Sequence, residues 1–344
     1  YLRSLVISRE NPDAAAGWIA GQNWRGTDDL LELVRRSGVS AADDADLRGR
    51  NPILTDLASQ VLAASVFGRL PGVVKLPWMS ATIALGGAVR AHWVRQGVAV
   101  PASPVTLGEP GLLDEHLVGA LLVARDQFLR QAGPMAERAL AEELVAATAE
   151  AYDRALLDVA NTGGGDAPAS ITSSGFTTSS TGSTLANIDT DLGGLVEELA
   201  GEDLANARWV LHPRSAAYLA RLRGTGGAPA FPGLGVNGGS IMGIPAITSK
   251  GVPMDEDTAA FTQISLVVGS GIAMAGGEVE LRASKQAAIE MDTQPTGDAL
   301  PPTAQSTHMV SMFQSNCTAL MTLGHINWKP RRATVAATLT DVSY

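Results

Sequence analysis

One cysteine, Cys317, stands among the 344 residues of this chain. No internal disulfide can form, so a disulfide-stapled scaffold is excluded. Zinc chemistry is equally poorly supplied. The five histidines, at 92, 116, 212, 308 and 325, never fall at helical ligand spacing, and one thiol cannot complete a site. Aromatic residues make up 5% of the chain and charged residues 17%, which leaves alanine, aliphatic side chains and glycine to build it. Positive charge is the scarcer sign. The net charge of -10 argues against a protein that coats nucleic acid with its whole surface, while leaving room for a local basic patch. No basic-then-apolar leader opens the chain, so no signal peptide is read. It opens on Tyr1, which a protease cut and a trimmed end explain equally well. The uncharged, largely apolar stretch 258–277 is broken by Gln263, serines and glycines, and reads as buried strands with a turn rather than a membrane span.

Catalytic signatures are missing too. No Gly-Lys-Ser or Gly-Lys-Thr follows the glycines at 163–165, so there is no phosphate-binding loop of that kind. "GSGIAM" (269–274) lacks the third glycine of the dinucleotide fingerprint, and "GGSIMG" is not a nucleophile elbow. Asp255, Glu256 and Asp257 read as a solvated turn more than a divalent-ion site. Arg331 and Arg332 fit an acidic neighbour better than a phosphate. No catalytic residue, cofactor or metal ligand is assigned, and the chain reads as a non-enzyme.

What is present is a sequence of differently patterned segments. Residues 1–69 hold small elements joined by polar links, including a capped helix at 26–38, a polar extended stretch at 40–51 and a second helix from Pro52. They read as an arm. Residues 70–122 are rich in Val, Thr, Trp, Pro and Gly, and the alternation in "RAHWVRQGVAV" predicts a long hairpin. A hairpin that long is hard to stabilise alone, so Lys75, Trp78, Trp93, Val94, Val98 and Val100 are taken as residues that meet a partner. "GPMAERALAEELVAATAEAYDRALLDVANTGGG" (133–165) contains no helix breaker between Pro134 and its glycines, which predicts a helix over 134–160. Leu140, Leu144, Ala151, Tyr152 and Leu156 lie on its apolar stripe. A low-complexity loop follows, then a helix begun near Asp189, a strand, a turn at His212-Pro213, a helix ending at Gly224, and further strands. The fold class is α+β with a central mixed sheet.

That order of arm, long hairpin, long helix, glycine-rich loop, mixed lobe and returning strands resembles the major capsid proteins of tailed bacteriophages. "AHWVRQGVAVPAS" (91–103) is similar to the family's extended-loop segment, with Gln96 where a glutamate is usual. The stretch 126–158 is similar to the one that enters and forms the spine helix, with Asp153 at the familiar Asp. "WVLHPRSAAYLARL" and "IMGIPAITSKGVP" match the axial lobe, and "ASKQAAIEMDTQP" (283–295) resembles a segment of the same subgroup. The resemblance covers about residues 56–340. It implies an N-terminal arm at 1–69, an extended loop at 70–122, a peripheral domain at 123–164 and 301–344 with spine helix 134–160, and an axial domain at 165–300. It implies a structural subunit, not an enzyme, that joins copies of itself in hexamers and pentamers. Such an icosahedral head is assembled in the host cytoplasm and kept in the virion, with packaged DNA at its inner face, portal and decoration proteins as further partners, and no membrane. Some members crosslink a loop lysine to a neighbour's asparagine, for which Lys75 with Asn316 or Asn327 would serve, but an uncrosslinked shell is favoured. The alternatives are an encapsulin-like nanocompartment shell and, from another class, an α+β hydrolase.

Overall fold

In a computed structural model the described residues are 52–86, 106–127, 133–163, 167–224, 226–254, 261–291, 309–332 and 334–344. The helix expected at 26–38, the polar stretch at 40–51, the alternation in "RAHWVRQGVAV" and the acidic run at 255–257 lie outside them. Helix α1 (Pro52–Ala64) takes its proline at the first helical position, where no N–H is needed. Ser65 ends it and caps α2 (Val66–Arg69), its hydroxyl accepting from the Phe67 amide at 3.2 Å. Strand β1 (Val74–Lys75) precedes the hairpin of β2 (Ala81–Gly86) and β3 (Thr106–Leu112). These pair antiparallel, with Ala81 opposite Leu112 and a register shift between Ile83 and Leu85. Strand β4 (His116–Arg125) leads to α3 (Gly133–Leu157).

At 25 residues and a rise of about 1.5 Å each, α3 is a rod of about 38 Å. It stops at Leu157, three residues before the expected 160, because its last carbonyls find other donors. Asn161 Nδ2 donates to the Ala155 carbonyl, the Ile171 amide to that of Leu156, and Thr172 Oγ1 and Gln263 Nε2 to that of Leu157. After it come β5 (Phe176–Ser179), α4 (Leu185–Glu198), β6 (Ala207–Leu211), α5 (Pro213–Arg221), β7 (Leu234–Gly235), β8 (Gly238–Ile241), β9 (Ile244–Thr248), β10 (Thr262–Val268) and β11 (Ile272–Ser284). The chain continues through β12 (Ala288–Glu290), β13 (Met309–Ser311), α6 (Met312–Ser315), β14 (Cys317–Pro330) and β15 (Ala336–Val342). One sheet has the order β1-β11-β14-β4, and a seven-stranded sheet the order β5-β15-β10-β6-β9-β8-β7.

By contacts the chain divides into two compact units. The first gathers residues through Gln60, Gly119–Thr148 and Glu278–Gly324. There Leu140, Leu122 and Leu281 pack against Ala283 and Leu320, and Leu144 and Val145 are buried. Thr148 returns its hydroxyl proton to the Leu144 carbonyl at 2.8 Å and meets the Thr322 hydroxyl at 3.4 Å. Asp126, nearly buried, holds Lys285 Nζ at 3.1 Å and accepts from the Thr318 hydroxyl, so its charge is compensated. β12 and β13 form a short antiparallel pair, and α6 ends on Asn316 in the left-handed conformation, one that asparagine tolerates.

The second unit comprises Val61–Val118, Ala149–Gly277 and His325–Tyr344. Its seven-stranded sheet is mixed. β6 runs parallel to β9 and β5 parallel to β15, and the remaining pairs are antiparallel. Period-two alternation sends Trp209, Leu211, Ile264, Leu266, Ala337 and Leu339 into one apolar cluster. Ile188, Leu192 and Leu195 of α4, and Ala216 and Leu219 of α5, close over it. The buried Trp209 indole keeps a hydrogen bond, donating to the Ile241 carbonyl at 3.1 Å. The helix expected to begin near Asp189 begins at Leu185, because Thr184 accepts from the Asn187 amide and caps it. His212 caps α5 through Nδ1, which accepts from the Arg214 amide. Burial, then the Arg214 charge, lower its pKa against the opposing pull of Glu150, which keeps that nitrogen available as an acceptor. β15 lies inside this sheet between β5 and β10. The last strand therefore belongs to the same sheet as β5, β6 and β10. Both faces of it are covered, so Ala336, Ala337, Thr338 and Leu339 are all buried.

Leu144 is 5% exposed, and an aspartate there has no partner. Leu144→Asp is expected to cost several kcal/mol and to give an insoluble or unfolded subunit. Soluble yield and circular-dichroism melting check it.

Candidate assembly site at the root of the hairpin

At the base of the hairpin, within the second unit, side chains from four stretches grip it. The Met79 amide donates to the Leu113 carbonyl at 3.1 Å and the Leu113 amide to that of Ser80 at 3.2 Å, so the ladder continues below β2 and β3. Leu113 is fully buried. Asn327 Nδ2 donates to the Asp114 carbonyl at 2.7 Å, and His325 Nδ1 meets the Glu115 carboxylate. The Lys329 stem lies across Gly111, where a Cβ would come within 2.7 Å of it. Trp78 lies against Gly276, where a Cβ would stand 2.3 Å from the indole ring and 2.4 Å from the His325 carbonyl oxygen. Gly276 and Gly277 have φ of 84° and 98°, so the strand bends where only glycine is at ease. Leu62 fills the space beside Gly277.

A second fixed point lies at Asp153. Its Oδ1 accepts from the Ser65 hydroxyl and the Val66 amide, each at 2.7 Å, and its Oδ2 from the Ser249 hydroxyl. Ser249 in turn accepts from the Gly251 amide at 3.1 Å. Gly251 lies so close to α3 that a Cβ would come within 2.6 Å of the Asp153 Cβ and 2.7 Å of the Glu150 carbonyl oxygen. Arg69 reaches the Thr248 carbonyl at 2.9 Å from the same junction. One carboxylate thus joins the α1–α2 corner, the spine helix and the end of β9. Burial pushes the Asp153 pKa up, and the hydrogen bonds from Ser249, Ser65 and Val66 together with the Arg69 charge pull it back. Phe67 adds an aromatic contact to Trp328, centroids 5.1 Å apart, and the Trp328 indole donates to the Ala169 carbonyl.

The residues singled out in the sequence are distributed unevenly. Lys75 is exposed on β1, beside Met274 of β11. Trp78 is half-buried against Gly276 of its own chain. Trp93, Val94, Val98 and Val100 lie outside the described residues. On α3, Leu144, Tyr152 and Leu156 are buried, while Leu140 and Ala151 are partly so. Burial raises the Tyr152 pKa to about 12. Asn327 is buried with its amide on Asp114, and Asn316 caps α6. Arg332 meets Glu202, an acidic neighbour as expected. Ser65, Ser249, Glu115, Gly276 and His325 were missed. The only local signal among them was the glycine pair 276–277 inside an apolar strand, which marks a bulge or a close approach. Among the described residues no group of three or more His, Cys, Asp or Glu side chains comes together to hold a metal, and no helix is long and apolar enough to cross a membrane.

Solved structures share this architecture. The fold is similar to that of a protein of Mycobacterium phage Ogopogo, with a TM-score of 0.56 over 81% of this chain and 92% of that one at 17% identity. It is similar also to the capsid of a native GTA particle, with a TM-score of 0.51 over 82% and 90% at 15% identity. These likenesses define an α+β subunit with the phage capsid fold. The Phage capsid family matches residues 75–281, from the hairpin root through most of β11, and the chain belongs to that family. A curated relative, the capsid polyprotein of Pseudomonas phage PAJU2, is 27% identical over 95% of this chain. The chain spans about half the length of that relative, 51%.

Two expected outcomes follow from this geometry. Asp153→Ala leaves three donors without an acceptor and should cost about 2–5 kcal/mol, read as a lowered urea midpoint. Asp153→Asn keeps an acceptor, since the Ser249 hydroxyl can turn to receive the amide, and should cost less. Because the folded pKa of Asp153 is raised, the native state binds its proton more readily than the unfolded chain. Its ionised form therefore costs stability, and this cost fades as pH falls through the folded value. From pH 7 downward, into the range above the ordinary carboxylate value, the parent should lose less stability than Asp153→Asn. Equal pH slopes would count against the burial argument. Separately, Gly276→Val forces Trp78 away and strains φ, so the melting temperature should fall by several degrees, equivalent to about 2 kcal/mol or more.

Proposed function

We propose that the protein is the structural subunit of an icosahedral bacteriophage head, joining copies of itself in hexamers and pentamers around a double-stranded DNA genome. The observation that carries this reading is the family match across the hairpin root, the spine helix and the seven-stranded lobe. The capsid polyprotein name of the PAJU2 relative and the GTA capsid structure support it. The subunit acts as a plate and not as a catalyst. Its assembly surface would begin at the hairpin root, where Met79, Leu112 and Leu117 are exposed beside the buried Leu113. Apolar side chains in that position gain about 1.5–3 kcal/mol each on full burial, before ordering costs. Beyond them Trp93, Val94, Val98 and Val100 would meet the neighbouring subunit, with Lys75 at the base, and Trp78 would hold the hairpin's angle. The arm at 1–69, the extended loop at 70–122, the peripheral residues 123–164 and 301–344, and the axial residues 165–300 would divide the work of the shell. Portal and decoration proteins are further partners, packaged DNA lies at the inner face, and assembly takes place in the host cytoplasm before the subunit becomes part of the virion.

Deleting residues 87–105 and closing β2 to β3 with a short glycine-serine turn keeps the root and tests the reading. The melting transition should survive, while sizing chromatography and negative-stain microscopy show small oligomers or open sheets in place of the parent's closed shells. Normal shells from the shortened chain would move the assembly contacts elsewhere. A parent chain that stays monomeric in every salt and pH condition would defeat the reading. Closed shells filled with a protein cargo and empty of DNA would favour a nanocompartment.

A further inference from the structure

Two helices of the seven-stranded lobe turn faces of opposite charge outward. On α4 the side opposite the buried Ile188, Leu192 and Leu195 carries Asp189, Gly193 and Glu197, with Glu198 and Gly194 exposed beside them. On α5 the side opposite the buried Ser215, Ala216 and Leu219 carries Arg214, Tyr218 and Arg221, at i, i+4 and i+7, all exposed. Arg223 follows, also exposed. Among the described residues no ion pair engages Asp189, Glu197, Glu198, Arg221 or Arg223. Tyr218 is held in place, its hydroxyl donating to the Ser183 carbonyl at 3.3 Å and its ring 5.4 Å from that of Tyr344.

The two helices share one layer. Both close over the same face of the sheet, α4 packing on β15 and α5 toward β7. Nothing lies within 4 Å of where a Cβ would stand on Gly193 or Gly194. The fold of the subunit therefore gives no steric reason for two glycines that weaken the helix interior. A low-relief acidic face is what they leave. A nucleic acid laid on this layer would meet the α4 carboxylates next to the α5 arginines and be repelled by half of what it touched. A second copy of the layer, turned so that acid meets base, satisfies both halves. Every copy carries both faces, so one rotation can repeat the contact.

We propose that the Asp189–Glu197 face of α4 in one copy packs on the Arg214–Tyr218–Arg221 face of α5 in another. This contact rests on the shell reading above and assigns it a pair of complementary surfaces separate from the hairpin. Tyr218 supplies a rigid aromatic between two guanidinium groups, and the bare glycines of α4 give it room to approach.

The test is a charge swap in the full chain. Three variants are compared with the parent: Arg221→Glu with Arg223→Glu, Glu197→Arg with Glu198→Arg, and all four changes together. Each pair alone should raise the protein concentration needed for assembly by about tenfold or more, and the fourfold variant should recover to within about threefold of the parent. The neutral pair Arg221→Gln with Arg223→Gln should fall between. Circular-dichroism melting of every variant must match the parent, and the neutral pair carries the comparison if a reversed pair misfolds. Reversed pairs that assemble like the parent, or a folded fourfold variant that fails to recover, overturn the proposal. So does a result in which the arginine variants lose only DNA retention while their shells stay normal. If the parent itself forms no particle, the shell reading falls. Sedimentation equilibrium of the same chains then judges the contact, with self-association lost and recovered supporting it and none at all overturning it.

Discussion

A buried carboxylate with three donors around it is the constraint on which the second unit depends. Asp153 cannot be ionised there without compensation, and the compensation comes from places far apart in sequence: Ser65 and Val66 at the α1–α2 corner, and Ser249 after β9. Each donor fixes the path of its own segment. Gly251 must lie flat against α3 for Ser249 to reach, and Arg69 must bridge to Thr248. An apolar residue at 153 could fill the same space, but it could not dictate which corner and which strand end arrive there. Directional bonds select one arrangement where burial alone would accept several.

The hairpin root works by a different principle. Its grip combines one fully buried leucine, Leu113, a tryptophan on a glycine backbone, a lysine stem over another glycine, and two polar ties to β14. Close approach at Gly276 and Gly111 brings side chains against main chain, where there is little freedom to slide. The exposed Met79, Leu112 and Leu117 at the same place join that mechanical base to an apolar rim.

Much of this was legible in the sequence, and the limits have physical causes. The long helix was readable because no breaker interrupts 134–157 and its stripe repeats at helical spacing. Its end was not, because the residues that satisfy its last carbonyls, Asn161, Thr172 and Gln263, lie partly far downstream. The helix start at Leu185 was missed although Thr184 is an ordinary cap. The cluster under α4 and α5 follows from period-two and helical patterns that each strand and helix displays. Asp153 was noticed only through a family likeness. Ser65 and Ser249 carry no pattern of their own, and serines are too common for spacing to single them out. Trp78 was taken as an apolar residue that meets a partner, and no local pattern tied it to Gly276, against which its indole also lies.

The position of β15 has a bearing on synthesis. β5 and β10 flank it, and the parallel pairing of Phe176–Ser179 with Ala337–Thr340 closes a loop across most of the lobe. Until residue 342 has cleared the ribosome, β5 has no partner strand and β10 shows a bare hydrogen-bonding edge on one side. Loop closure of that span is slow, since ordering must precede the contacts that reward it. The sheet of the lobe is therefore completed only once β15 has emerged. A chain cut short before β15 carries an open edge into the cell, exposed to aggregation and proteolysis, and is a poor candidate for any lattice that demands a finished sheet. Topology alone thus withholds a finished sheet from any chain that lacks β15.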